Sequence, residues 1–128
     1  MSPTAERISQ LGLVGVGGSV GALVRWAIGE AWTSTAFPWP TLLVNVLGSG
    51  LLALVTSAGF SNNARRLLAA GVCGGLTTFS TLSVDVVRLL DDDRSATAAV
   101  YVVASVVLGL GAFVAARSLR PLAMEERS

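Results

Sequence analysis

The stretch GVCGGLTTFSTL, residues 71–82, sets two adjacent glycines, Gly74 and Gly75, beside four hydroxyl side chains, Thr77, Thr78, Ser80 and Thr81, in the middle of an apolar run. Glycine weakens a helix by about 1 kcal/mol relative to alanine, and Ser or Thr hydroxyls offer the backbone alternative hydrogen bonds. A break at such a place frees carbonyl and amide groups, and in lipid each unsatisfied group costs several kcal/mol. The freed groups must therefore meet a cavity, an ion or another helix. Broken helices of this kind build ion sites, because carbonyl oxygens suit hard cations. A kinked packing helix is the plainer alternative.

Other polar residues recur at helical spacing. Thr41, Asn45 and Ser49 stand four apart and share one helical face. An asparagine in the middle of an apolar segment is costly without partners. It either bonds a neighbouring helix or turns its NH2 donors toward a passing anion. Tyr101, Ser105 and Gly109 form a second stripe, and facing Thr41 and Asn45 it would complete a track of hydroxyl and amide donors. Arg25 lies one or two turns inside the end of its segment. There it snorkels to the headgroups or lines a water-filled vestibule that gathers anions. Asp85, late in its own segment, reads as solvated near the interface. The chain has no histidine and one cysteine, Cys73, read as a small packing residue. Histidine acid–base catalysis, Cys/His metal sites and an internal disulfide are thereby excluded. No nucleophile–base pair is visible, so an enzyme is not expected.

The elements that must position these residues follow from composition. Of 128 residues 52% are hydrophobic and 13% charged, against about 25% charged in soluble domains. The mean hydropathy is +0.68. Four apolar segments, about 9–32, 41–60, 67–90 and 96–117, each approach the roughly 20 residues needed to cross a bilayer. They lack period-two alternation and are rich in Gly, Ala and Leu, so helices are expected. The fold expected over residues 1–128 is one all-α integral membrane domain of four transmembrane helices, the third interrupted. Gly17 and Gly21, with Gly18 and Ala22, provide small surfaces for close helix contact. A dinucleotide fingerprint fails at Val20. With four spans, Arg7, Arg65, Arg66, Arg117, Arg120 and Arg127 share one side, and Arg25, Arg88 and Arg94 the other. The positive-inside rule then puts both termini in the cytoplasm, with the chain in the inner (plasma) membrane among its lipids. Scattered arginines without interleaved aromatics do not suggest nucleic acid as a partner.

At GGSVGALVRW, TLLVNVLGSG and GVCGGLTTFSTLSVD the sequence resembles the CrcB/Fluc family of bacterial fluoride channels. The resemblance spans nearly the whole chain, and the third string is its most specific part. It implies four-helix subunits paired head-to-tail as antiparallel dimers with two narrow pores, which let fluoride leave the cytoplasm passively and so relieve its toxicity. It implies that the backbone carbonyls of Gly74 and Thr77 hold a structural, non-transported sodium ion at the dimer centre. It makes Asn45 the pore amide, Phe79 the first ring of a phenylalanine pair, Thr41, Tyr101 and Ser105 a polar track, and Arg25 the vestibule arginine. Fluoride is small and strongly hydrated, so amide and hydroxyl donors and positive ring edges suit it.

Two positions depart from the family pattern. Leu82 replaces the second phenylalanine, altering that pore position, and Gly109 stands where another hydroxyl is common. With the uneven arginines, they suggest, beside an antiparallel homodimer, a subunit of fixed orientation that pairs with an oppositely inserted paralogue. A proton-coupled small multidrug transporter would want a carboxylate buried in the first span, where only Glu30 lies near, at its end. A non-conducting membrane assembly subunit is the structural alternative.

Overall fold

The computed structural model describes residues 1–34 and 36–119; Arg120, Arg127 and the rest of the C-terminal tail lie outside the described residues. Helix α1 (Pro3–Ala31) begins where the Ser2 hydroxyl accepts from the Ala5 N–H at 3.2 Å. Pro3 fills the first helical position, where no donor is needed. That cap starts the helix ahead of the apolar segment, which hydropathy alone places near residue 9. Helix α2 (Trp39–Ser57) follows. The third span opens as α3 (Asn62–Arg65), capped by Ser61, and runs on through a π-helical segment (Arg66–Cys73) into α4 (Gly74–Leu76). Thr77 and Thr78 are extended, and α5 (Phe79–Asp91) resumes the span. Helix α6 (Ser95–Ser118) completes four helices long and apolar enough to cross a membrane, and no strand occurs among the described residues.

Contacts fix the directions. Gly17 approaches Leu67 and Gly71, and Gly21 approaches Val72 and Leu76, so α1 runs parallel to the third span. Ser49 and Gly50 lie beside Gly109 and Ala112, and Thr41 lies beside Tyr101, so α2 and α6 run parallel to each other. The loops at one end meet where Arg94 donates to the carbonyl of Ala36. Near that end Leu42, Leu89, Ala98 and Tyr101 form a buried cluster, with Phe37, Val46, Leu82 and Val86 packed on it. The outer face of α6 exposes Val100, Val103, Val107, Leu110 and Val114. Three- and four-residue spacing makes this a continuous apolar stripe, suited to lipid.

The α1 seam is held by glycine because it has no room for anything else. A Cβ on Gly17 would stand 2.9 Å from Gly71 Cα, and one on Gly21 would stand 2.7 Å from the Leu76 nitrogen. One on Gly75 would stand 2.9 Å from the Gly18 carbonyl carbon. Dispersion between closely packed backbones is a main source of helix association in lipid.

Candidate ion site at a helix break

The sequence places the helix-weakening glycines at 74 and 75, yet the interruption lies at Thr77 and Thr78. Gly74 is helical, with φ −63° and ψ −38°. Thr77 has φ −80° and ψ 152°, and Thr78 has φ −150° and ψ 120°. Gly75 serves close packing against α1, and the threonines carry the turn of the chain. Their hydroxyls supply the local bonds that make the break tolerable. Thr77 Oγ1 donates back to the Cys73 carbonyl at 2.9 Å. Thr78 Oγ1 accepts from the Thr81 N–H at 3.1 Å and so caps α5. It also lies 3.2 Å from the hydroxyls of both Ser80 and Thr81.

The backbone of Thr78 is satisfied from another helix. Asn45, on α2, accepts the Thr78 N–H on Oδ1 at 2.7 Å and donates Nδ2 to the Thr78 carbonyl at 3.1 Å. One side-chain amide thus replaces both ladder partners of one residue, which answers how an asparagine is tolerated there. One Nδ2 hydrogen remains. Gly48, one turn on, has no Cβ because the Thr77 methyl occupies that place. From the other side, Arg25 Nε donates to the Gly75 carbonyl at 3.0 Å. None of the hydrogen bonds among the described residues ends on the carbonyls of Gly74 or Thr77.

These residues border an open groove of about 420 Å³, lined by Asn45, Ser49, Gly74, Thr77, Thr78, Phe79 and Leu82 among others. Phe79, the first residue of α5, is 82% exposed. The helix α5 also presents its N-terminus to the break, where unpaired N–H groups and the helix dipole favour negative charge.

The structure divides the remaining expected site residues. Asn45, Gly74, Thr77, Phe79 and Leu82 come together at the groove. Thr41 and Tyr101 stand apart from it in the buried cluster. Tyr101 is fully buried, and its hydroxyl donates to Asp85 Oδ2 at 3.0 Å. Asp85 is therefore half-buried and paired rather than solvated, because the α5–α6 hairpin folds it onto Tyr101. Ser105 Oγ donates to its own helix, to the Tyr101 carbonyl at 2.7 Å, as Ser49 does to Asn45 at 2.8 Å. Two partners were missed in the sequence: Thr78 for Asn45, and Gly75 for Arg25. The only signal for the first is that an asparagine needing partners and a break offering them sit at similar depth in different spans.

The family model described as CrcB-like protein, Camphor Resistance (CrcB), matches residues 12–117. The chain is 44% identical over 103 residues to a protein of Halobacterium salinarum named fluoride-specific ion channel FluC 1, covering 80% of this chain and 86% of that one. It is 46% identical over 101 residues to fluoride-specific ion channel FluC 2 of Rhodococcus jostii, covering 78% and 89%. To fluoride-specific ion channel FluC of Thermus thermophilus it is 42% identical over 106 residues, covering 77% and 83%.

Proposed function

The chain belongs to the CrcB family, and from that premise we propose that it is a subunit of a fluoride-specific channel giving passive fluoride efflux from the cytoplasm. Its work is conduction, not catalysis. The observation that carries this reading is the break at Thr77–Thr78, clasped by Asn45 and opening onto a groove. A desolvated anion needs dense donors. Here the spare Asn45 N–H, the α5 N-terminus and the Phe79 ring edge supply them within a few residues.

The carbonyls of Gly74 and Thr77 are hard oxygen donors at the groove that no hydrogen bond claims, and they suit a sodium ion. Bound there, the ion would offset their dipoles. Two carbonyls are a partial coordination shell, so a second subunit must complete it. An antiparallel dimer, with the 82% exposed Phe79 at its interface, is the assembly proposed.

A second reading is favoured by Leu82, which lines the groove where the family pattern has a ring. Together with arginines concentrated at one end, it supports an orientation-fixed subunit that pairs with a paralogue. Several relatives bear numbered names, FluC 1 and FluC 2. On either reading the chain lies in the plasma membrane with both termini cytoplasmic.

Expression in a fluoride-sensitive bacterium without its own exporter tests the proposal, alone and beside the paralogue. Wild type should restore growth in fluoride, and Phe79→Ala, which removes an exposed ring without disturbing the core, should not. Failure of the wild type to restore growth, alone and beside a paralogue, would point to the non-conducting assembly role, and equal growth of both would remove Phe79 from the pathway.

A further inference from the structure

Arg25 carries a charge inside an apolar helix, and its partner is a carbonyl rather than a carboxylate. Gly17, Gly21 and Arg25 recur every fourth residue and share one face of α1. The first two press against the third span without a Cβ between the backbones, so Arg25 is carried by the same seam to the break. In an unbroken helix the Gly75 carbonyl would accept from the N–H of Phe79, four residues on. Phe79 instead starts α5 after two extended residues, which leaves that carbonyl without its ladder donor. Arg25 Nε supplies the missing donor at 3.0 Å, half-buried, across fifty positions of sequence.

We infer that Arg25 is a positioning residue that fixes the broken backbone from the α1 side, as Asn45 fixes it from α2. Five carbonyls around the break then have unequal fates. Cys73 is taken by Thr77, Gly75 by Arg25, and Thr78 by Asn45, while Gly74 and Thr77 are left facing the groove. Arg25 thus decides which oxygens remain available for a ligand, a role separate from attracting anions by charge. The inference rests on the channel reading for what the break serves, not for how it is held.

Side-chain chemistry separates hydrogen bond from charge. The Nε2 of a glutamine lies as many bonds from Cα as the Nε of arginine, so Arg25→Gln keeps an N–H at that place and removes the charge. Arg25→Lys keeps the charge but moves its N–H donors one bond further out, and Arg25→Met keeps neither. Amide hydrogen exchange of the wild type and three variants in lipid nanodiscs reads the break directly. The reporters are the N–H groups of Thr77, Thr78 and Thr81, bonded to Cys73, Asn45 and Thr78. Exchange at these amides should rise tenfold or more in Arg25→Met and stay within about threefold of wild type in Arg25→Gln. Fluoride flux should fall as exchange rises. Slow exchange in Arg25→Met would overturn the inference. So would Arg25→Gln exchanging as fast as Arg25→Met while Arg25→Lys matched wild type, the pattern of a charge effect. If Arg25→Met does not assemble, Arg25→Gln decides: exchange within about threefold of wild type supports the inference, and a rise of about tenfold or more overturns it. Absence of fluoride flux in the wild type, both alone and beside a paralogous subunit, with this exchange pattern intact, would sink the channel reading and leave the positioning role standing.

Discussion

Gly74 and Gly75 are neighbours of the same type, and the structure gives them opposite surroundings. A methyl on Gly75 would meet the backbone of Gly18, whereas one on Gly74 meets nothing within 4 Å. Gly75→Ala should lower thermal stability by about 1–3 kcal/mol, the usual cost of overpacking. Gly74→Ala should leave the stability of the subunit within about 0.5 kcal/mol of wild type. Any loss of flux in Gly74→Ala then reports on what approaches the groove from outside. Asn45→Ala should cost about 2 kcal/mol or more, since both the N–H and the C=O of Thr78 lose their partner; denaturation of the purified protein in detergent checks it. Residue types and spacing made Asn45 and the threonines visible as candidates. Which backbone group Asn45 serves was not visible, because that pairing joins two spans 33 positions apart.

Elements were the most legible part of the sequence. Four apolar runs without alternation become four helices, and the interruption of the third falls inside the string that announced it. Within that string it falls at the threonines, and packing against α1 holds Gly75 helical. Asp85 was misread for a related reason: hydropathy along one helix does not register a hairpin partner. The Tyr101–Asp85 bond ties α5 to α6 beside the buried cluster. Tyr101→Phe should therefore destabilise the protein by about 1 kcal/mol or more by leaving a half-buried carboxylate without its donor. Asp85→Asn, which keeps an acceptor oxygen, should cost less than Asp85→Leu. The order of melting temperatures across these three variants is the check. Equal values would remove the bond from the account of how α5 is held.

At the scale of the whole molecule, the groove at the break stands open. It exposes Phe79 and leaves two carbonyls without donors, and Leu82 borders it where a second ring would fit the family pattern. If that leucine limits conduction, Leu82→Phe should raise the flux of the chain reconstituted by itself, and an unchanged rate would show that the ring is not what is lacking. The central claim is that the clasped break forms a fluoride pathway. Its most direct test is ion efflux from liposomes loaded with fluoride or chloride, with the purified chain reconstituted alone and together with its paralogue. The account predicts rapid fluoride release with chloride retained in at least one of the two preparations, abolished by Asn45→Ala in protein that remains folded. Retention of fluoride in both preparations, or chloride released as readily as fluoride, would contradict it.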